Sequence, residues 1–484
     1  MVRRTRIAAV LTLAMINAFT IAAGLAVVHL LPPRLAALRV PSVAAVLPVG
    51  AGSVLAEGAG AGALPTSSGL RAVLAGPLSA AALGPQVSAV VADPVTGQVL
   101  LSQHGAQLAT PASTTKLATG LASLAVLGAG ARFTTRVVEG TASSIILVGG
   151  GDPTLAVNPF PGRDYPAPAT LASLAAATAR KLKANGRDAV SLGYDTSLYT
   201  GPDLAPSWPG GYVSGGDVTP IVSLEVDQGR LTAAGTPEDS DDPYNNNPRA
   251  TDPAAMAAAS FAALLSADGI RVMGSPVAQA APATPATPAT PAGAPVIASV
   301  VSPPLSAIVE QMLEESNNVI AENLARHVAL AMGEPASFSG AATAVTRELG
   351  QLGITGGFRL VDGSGLSPED LISPDALVRM LELAIARPRL RGLLAGLPVA
   401  GFSGTLSAGQ SVFSGIGGPA LGSVRAKTGN LGTVAALAGL VYDKSGGVLV
   451  FAFMADAIPS AGLLQYAAQA IDRAASALAG CGCR

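Results

Sequence analysis

The chain has 484 residues, 49 % of them apolar and 12 % charged, with a formal net charge of −2. This length exceeds what one hydrophobic core usually holds, so we expect two or more domains. The near balance of charge and the lack of basic clusters argue against nucleic-acid binding. The only two cysteines, Cys481 and Cys483, lie one residue apart, and we expect them to form a tail with no structural role.

The N-terminal segment, residues 1–33, predicts export from the cytoplasm. Three arginines in the first six residues precede an apolar run from Ile7 to about Leu31 that contains no Asp, Glu, Lys or Arg. A positive flank before such a run is typical of export signals, and the run is long enough to span a bilayer. The sequence leaves open whether the segment is cleaved as a signal peptide or retained as a membrane anchor. In both cases the rest of the chain works outside the cytoplasm.

After a flexible linker of Pro, Gly and Ala over residues 34–68, the pattern predicts helices mixed with antiparallel strands. Helices are predicted over 70–84, 113–128, 170–185, 305–332 with a break near residue 316, and 460–479. Strands are predicted over 87–103 around a turn, over 133–155, and over three late runs at 422–430, 433–443 and 448–456. Residues 188–279 are read as strands and turns. The fold class that follows is α+β, an antiparallel sheet flanked by helices with a large strand-rich insertion.

The two parts of the sheet domain are expected at the two ends of the chain. The first part covers 69–130, the second covers 297–484, and the insertion covers 131–296. The insertion contains a solvated acidic loop at 237–253 and a repeated Ala-Thr-Pro tract at 281–295, which cannot bury a core.

Ser113 and Lys116 form the first candidate pair of site residues. The chain has only five lysines, and Ser113 is the only serine that stands three residues before one of them. Positions i and i+3 share one helix face, so the lysine amine can lie over the serine hydroxyl. A serine nucleophile needs such a base, and burial or a second cation can lower the lysine pKa enough to supply one. The alternative is an ordinary helix surface.

Ser316 and Asn318 form the only Ser-x-Asn in the chain, at the break between two helical runs. A hydroxyl there can pass a proton to a leaving amine, and an amide can hold a substrate carbonyl. The alternative is a helix cap, because Ser and Asn are preferred in that position.

Lys427, Thr428 and Gly429 lie late on a predicted edge strand, with Asn430 after them. The lysine and the hydroxyl can bind a carboxylate, and the glycine lets a substrate backbone approach closely. Lys427 can also be the second cation that keeps Lys116 neutral. The alternative is a strand that ends in a turn.

The order Ser-x-x-Lys, Ser-x-Asn, Lys-Thr-Gly occurs in β-lactamases and penicillin-binding proteins. Three longer phrases accompany these motifs: GGGDPTL, SPPLSAIVEQMLEESNNVIAENLAR and DGSGLS. Together they make the chain from Leu70 to Ala479 resemble D-alanyl-D-alanine carboxypeptidases/endopeptidases, the low-molecular-mass class C penicillin-binding proteins of the penicillin-binding protein 4 type. The 203 residues from Ser113 to Ser316 favour this subclass, because β-lactamases and shorter carboxypeptidases place these motifs closer together. The resemblance implies a β-lactamase/transpeptidase-like domain with domains inserted between the motifs.

The resemblance also implies a serine-type D-Ala-D-Ala carboxypeptidase that acts on peptidoglycan stem peptides. Ser113 would attack the carbonyl between two D-alanines, and Lys116 would be the base. Ser316 would relay a proton to the leaving D-alanine while Asn318 orients the peptide. Whether endopeptidase action accompanies this reaction stays open. No metal or cofactor is implied.

The remaining implied roles concern binding. Lys427 and Thr428 would hold the terminal carboxylate. The N–H groups of Ser113 and Asn430 would form an oxyanion hole. β-Lactams would acylate the same serine as covalent inhibitors.

Asp152, in GGGDPTL, would contact the free amino group of the stem-peptide side chain, with a turn-forming aspartate as the alternative. The chain departs from many relatives after DGSGLS, where Pro368 and Glu369 stand in place of a basic residue. This departure puts diaminopimelate-type recognition in doubt.

Three alternatives differ in chemistry. A Ser-His-Asp hydrolase fits poorly, because only three histidines exist, among them His29 in the apolar N-terminal run, and no Gly-x-Ser-x-Gly occurs. His327 is expected to be packed or on the surface. A serine β-lactamase or esterase of the same fold would deacylate quickly. A wall-binding scaffold with a dead site would not be labelled by penicillin at all.

Overall fold

The computed structural model describes residues 64–141, 143–159, 165–232, 235, 247–282, 293–407, 413 and 418–483. The predicted signal or anchor, nearly all of the linker, and most of the acidic loop and the Ala-Thr-Pro tract lie outside the described residues. No helix in the described part is long and apolar enough to cross a bilayer.

Strands and helices are numbered here in chain order. The strands are β1 (Val87–Ala92), β2 (Val99–Gln103), β3 (Thr134–Glu139), β4 (Ser144–Val148), β5 (Ala189–Asp195), β6 (Arg271–Val272), β7 (Val277–Ala278), β8 (Val296–Val301), β9 (Phe358–Arg359), β10 (Leu371–Ile372), β11 (Val424–Leu431), β12 (Val434–Tyr442) and β13 (Val448–Ala455). The α-helices are α1 (Ser67–Leu78), α2 (Lys116–Leu127), α3 (Leu171–Ala184), α4 (Pro253–Ala267), α5 (Leu305–Glu314), α6 (Asn318–Ala331), α7 (Phe338–Gln351), α8 (Pro374–Ala386), α9 (Gly392–Ala395) and α10 (Leu464–Ala479).

The first sheet joins strands from both ends of the chain. Its order is β11–β12–β13–β1–β2, and every neighbouring pair is antiparallel. Successive side chains of a strand point to opposite faces. Val90 therefore belongs to the core that is shared with α2 and α5 to α8, whereas Val91 belongs to the core that is shared with α1 and α10. Because helices cover both faces, β13 is buried along its whole length.

Helix α6 lies within the layer of helices on one face of this sheet. All its residues from Val319 to Ala329 are buried. The helix begins where the Asn317 side chain accepts the Ile320 N–H at 3.1 Å. The preceding residue, Ser316, has a φ of 58°, which turns the chain between α5 and α6. The predicted break in the long helical stretch is therefore confirmed.

The second sheet is built from residues 134–301. Its order is β6–β5–β4–β3–β8, and β7 also pairs with β5. β3 is antiparallel to its neighbours, whereas β5 is parallel to all of its partners. Helices α3 and α4 bury Leu174 and Phe261 against it. The predicted end of the insertion at 296 coincides with the first residue of β8, so this strand continues beyond that boundary.

Helix α4 was not predicted, because residues 188–279 were read as strands and turns. The helix starts at Pro253 after Asp252, whose Oδ1 accepts the Ala255 N–H at 2.9 Å. An aspartate cap followed by proline in the first turn is a helix-start signal. The alanine-rich sequence that follows gives little contrast between a polar and an apolar face, and this concealed the helix.

The expectation of a C-terminal tail without a structural role was wrong. Cys481 is buried against the core between α1 and α10, and it forms a disulfide with Cys483. The Cys483 carbonyl accepts the Thr66 N–H at 2.8 Å. Thr66 also caps α1, which therefore begins at Ser67, inside the range predicted as linker.

Candidate active site

Ser113 lies in a single 3₁₀ turn, Ala112–Thr115, that leads into α2. The turn is closed by Thr114, whose N–H and hydroxyl both donate to the Pro111 carbonyl, at 3.2 and 2.8 Å. Side chains three residues apart eclipse one another in a 3₁₀ turn. This backbone, which is tighter than the α-helical start that the sequence predicted, places Ser113 beside Lys116.

The Lys116 amine is fully buried and hydrogen-bonds with three oxygen atoms. They are Ser113 Oγ at 2.9 Å, Asn318 Oδ1 at 2.7 Å and the Ser364 carbonyl at 2.8 Å. The three partners come from the 3₁₀ turn, the start of α6 and the loop between β9 and β10. The structure therefore brings the first two sequence motifs together and adds a third partner that the motifs did not indicate.

The chemistry of two of these partners fixes the direction of their hydrogen bonds with Lys116. Asn318 Nδ2 donates to the Asp217 carbonyl at 2.9 Å, so its Oδ1 faces Lys116. Asn318 Oδ1 and the Ser364 carbonyl can only accept hydrogen bonds. They occupy both N–H groups of a neutral amine, and its lone pair is left for the Ser113 hydroxyl. The arrangement suits a base.

Burial lowers the pKa of Lys116 to about 7, although the carboxylates of Asp362, Glu322 and Asp370 oppose this shift. The cause is desolvation, which penalises the charged form of an amine. About half of the lysine is therefore uncharged near neutral pH, as a general base requires.

Strand β11 closes another side of the site. Lys427 is fully buried, and its Nζ donates to the Thr428 carbonyl at 3.0 Å. Burial lowers its pKa well below the usual range, and repulsion from Lys116 adds to this effect. At Lys116 itself burial is the main cause, which is one of the two causes that the sequence left open. The Thr428 hydroxyl lies 2.9 Å from that of Thr405, and Gly429 packs against the turn that carries Ser113.

An open cavity of about 750 Å³ connects these groups. Ser113, Ser316, Thr428 and Asn430 line its wall, and α10 contributes the opposite side. Ligand-binding clefts usually measure about 300–1,000 Å³. The four residues belong to all three sequence motifs, so the cavity is where those motifs meet.

The family is decided by comparison with known proteins. The profile of the D-Ala-D-Ala carboxypeptidase 3 (S13) family matches residues 70–247 and 235–478. The chain belongs to this family. Among S13 relatives, carboxypeptidase DacB of Mycolicibacterium smegmatis is 37 % identical over 426 residues, which is 87 % of this chain and 85 % of that protein. A carboxypeptidase of Mycobacterium tuberculosis is 35 % identical over 429 residues, covering 87 % of this chain and 86 % of that protein.

The S13 fold is also seen in a solved structure. Penicillin-binding protein 4 (dacB) of Haemophilus influenzae superposes with a TM-score of 0.64 at 22 % identity, covering 84 % of this chain and 99 % of that one. At this identity the likeness concerns the fold alone. The predicted family, the α+β fold class and the enzyme class of D-Ala-D-Ala carboxypeptidase are therefore confirmed.

The sequence analysis missed a group of buried carboxyl groups near Lys116, which belong to Glu322, Asp362 and Asp370. Asp362 accepts N–H groups of its own loop, including that of Gly365 at 2.7 Å, as well as Trp208 Nε1 at 2.8 Å. Burial and the neighbouring Asp362 raise the pKa of Glu322 to about 8. The signals were present, because Glu322 follows Asn318 by one helical turn and Asp362 opens the quoted phrase DGSGLS.

Asp152 does not join the other predicted S13 site residues. It is buried, and its Oδ1 accepts both the N–H and the hydroxyl of Thr154, at 2.9 and 2.6 Å. Among the described residues it forms no part of the cavity wall. The turn-forming alternative therefore describes its geometry. Nearby, His327 is packed as expected, stacked on Phe133 and hydrogen-bonded to the Gly151 carbonyl at 2.8 Å.

Proposed function

We propose that this S13 enzyme cleaves the terminal D-alanine from peptidoglycan stem peptides through an acyl-enzyme on Ser113. The observation that carries this proposal is the set of three oxygen atoms around the Lys116 amine. In its neutral form the amine directs both N–H groups to Asn318 Oδ1 and the Ser364 carbonyl, so its lone pair faces the Ser113 hydroxyl 2.9 Å away. A serine beside a buried amine that is about half neutral is an activated nucleophile.

Acylation then proceeds in two steps. Lys116 takes the proton from Ser113 Oγ while that oxygen bonds to the carbonyl carbon between the two D-alanines. The resulting oxyanion is held by the backbone N–H groups of Ser113 and Asn430. The proton passes from Lys116 through the Ser316 hydroxyl to the amide nitrogen, the C–N bond breaks, and D-alanine leaves with a neutral amine.

Deacylation reverses these roles. Lys116 takes a proton from water, the hydroxide attacks the ester carbon, and the proton returns to Ser113 Oγ as the acid product leaves. A β-lactam would follow the acylation step only. Its amide bond opens, but the leaving nitrogen stays attached to the acyl group and occupies the path of the water.

Substrate binding is assigned to the cavity and to two groups beside its wall. Asn318, the partner of Lys116, orients the peptide, and Thr428 with the adjacent buried amine of Lys427 holds the terminal carboxylate. The Thr405 hydroxyl, 2.9 Å from that of Thr428, extends this binding surface. No such role is proposed for Asp152, because its carboxylate is engaged in its own turn.

The test is labelling of the folded protein by a fluorescent penicillin, beside Ser113→Ala and Ser123→Ala. Ser123 is a matched control, since it is a buried serine of α2 whose hydroxyl, among the residues that the structure describes, donates to the Thr119 carbonyl alone, at 2.7 Å. We expect a stable adduct on the wild type and on Ser123→Ala, and none on Ser113→Ala. We also expect the wild type and Ser123→Ala to release D-alanine from a pentapeptide, and Ser113→Ala to release none.

Other outcomes separate the alternatives. Rapid loss of the label with hydrolysis of the antibiotic would favour a β-lactamase. No adduct on a folded wild type would favour a wall-binding scaffold.

Action on the cell wall places the working domain outside the cytoplasm. We propose that residues 1–33 direct this export, either as a cleaved signal or as a retained anchor. Mass spectrometry of the protein recovered from cells decides between the two. An intact N-terminal segment in the membrane fraction supports the anchor, and a shortened chain supports the signal.

A further inference from the structure

One buried carboxylate connects two of the partners of Lys116. Glu322 lies four residues after Asn318 on α6, so both side chains lie on the same face of the helix. Its carboxylate accepts the Gly363 N–H, at 3.0 Å to Oε1 and 3.2 Å to Oε2. The next residue is Ser364, whose carbonyl accepts from Lys116. The separation of the two acceptors therefore depends on this carboxylate.

The loop is held at this point from two sides. A Cβ on Gly363 would lie 2.7 Å from Ala325 Cβ, so the loop touches α6 directly. On the other side the Thr119 hydroxyl of α2 donates to the Gly363 carbonyl at 2.6 Å. Because Glu322 is 1 % exposed, water cannot readily replace its hydrogen bond.

We propose that Glu322 is a positioning residue for acylation. Its carboxyl group accepts the Gly363 N–H and thereby keeps the Ser364 carbonyl in place to accept one N–H of Lys116. The lone pair of the amine is then left for the Ser113 hydroxyl. This role depends on the proposed function, in which Lys116 is the base.

The charges around Lys116 define the pH dependence that this role implies. Four ionisable groups face the amine: Asp362 and Asp370 from the loop, Glu322 from α6 and Lys427 from β11. Glu322 itself faces Asp362 and Arg326. Because the pKa of Glu322 is raised to about 8, this carboxyl is largely protonated at the pH where Lys116 titrates. Glutamine at position 322 is likewise uncharged and keeps an acceptor for the Gly363 N–H, so the pKa of Lys116 should change little in Glu322→Gln.

The experiment measures the second-order rate of acylation by a fluorescent penicillin as a function of pH. In Glu322→Ala the Gly363 N–H loses its acceptor, and we expect the rate to fall about 10- to 100-fold, as a small misplacement of a catalytic group does. Glu322→Gln should recover most of the rate and reach half of its maximum at about the same pH as the wild type.

The matched control is Glu225→Gln. Glu225 is also buried, and it accepts from Asn323 at 2.9 Å, the residue that follows Glu322 on α6. It does not contact the Gly363 loop through any hydrogen bond described here, so its pH profile should equal that of the wild type.

The acylation rates decide whether Glu322 has this positioning role. A wild-type rate in Glu322→Ala overturns the proposal. If that variant does not fold, Glu322→Met, which keeps the volume of the side chain but has no oxygen acceptor, decides: a slowed rate beside a near-wild-type rate in Glu322→Gln supports the role, and a wild-type rate overturns it. Failure of the wild type to be labelled at all would instead overturn the proposed function.

Discussion

Gly429 of β11 lies directly against the carbonyl oxygen of Pro111, so that a Cβ built on the glycine would lie 2.5 Å from that oxygen. The sequence suggested that this glycine admits a substrate backbone, but the close approach is made by the turn that carries Ser113. We therefore expect Gly429→Ala to push β11 away from the turn. Acylation by a fluorescent penicillin should slow about 10- to 100-fold.

Gly350→Ala is the control for this change. Gly350 lies in α7 with no atom within 4 Å of an added Cβ, so alanine should leave the rate unchanged. Equal rates in both variants would show that the contact with Pro111 does not position Ser113.

Acylation should slow as the pH falls below about 7. Burial lowers the pKa of Lys116 to about 7, and only the neutral amine has a lone pair for the Ser113 proton. Below that pKa the rate should fall about tenfold per pH unit, because one protonation removes the base. The measurement is the labelling rate across the pH range, with the melting temperature recorded at each pH. A rate that stays constant down to about pH 5, on protein that remains folded, would exclude Lys116 as the base.

Asn318→Asp should move the pH profile of acylation to higher pH. A carboxylate 2.7 Å from the Lys116 amine would stabilise its charged form and raise its pKa. The variant also loses the hydrogen bond to the Asp217 carbonyl. We expect acylation near neutral pH to fall about 10- to 100-fold, with partial recovery at higher pH. Asn185→Asp, at the exposed end of α3, is the control. An unshifted profile in Asn318→Asp would contradict the assigned contact.

The elements that could be predicted are those with strong local signals. Two of the three late strands have continuous apolar runs joined by a Gly-containing turn, and all three appear as β11 to β13. The break at Ser316 was visible because Ser and Asn cap helices. Helix α4 was missed because alanine carries little periodicity. The role of the C-terminal residues was missed because a hydrogen bond between Thr66 and Cys483 has no local sequence signal.

The sequence predicted those site residues that belong to the three motifs. Ser113, Lys116 and Asn318 meet as the motif order implied. The Ser364 carbonyl could not be foreseen, because a backbone group has no residue-type signature. Its position depends on how Gly363 packs between α2 and α6, which only the tertiary structure shows.

Asp152→Asn should stabilise the protein rather than impair it. Burial raises the pKa of Asp152 to about 6, so the folded state binds this proton more tightly than the unfolded chain does. Ionisation of this buried carboxyl therefore lowers the free energy of unfolding as the pH rises from about 4 to above 6. The total loss is on the order of 1–3 kcal/mol. Asparagine removes the charge and keeps an acceptor for the Thr154 N–H. Denaturant unfolding of Asp152→Asn should show a higher free energy of unfolding than the wild type at about pH 8 and nearly the same value at about pH 4. The control is Asp188→Asn, an exposed position, where we expect the free energy of unfolding to equal that of the wild type at both pH values. If Asp152→Asn instead lost cleavage of stem peptides with a free side-chain amine, at unchanged stability, the carboxylate would be a substrate contact and not a turn residue.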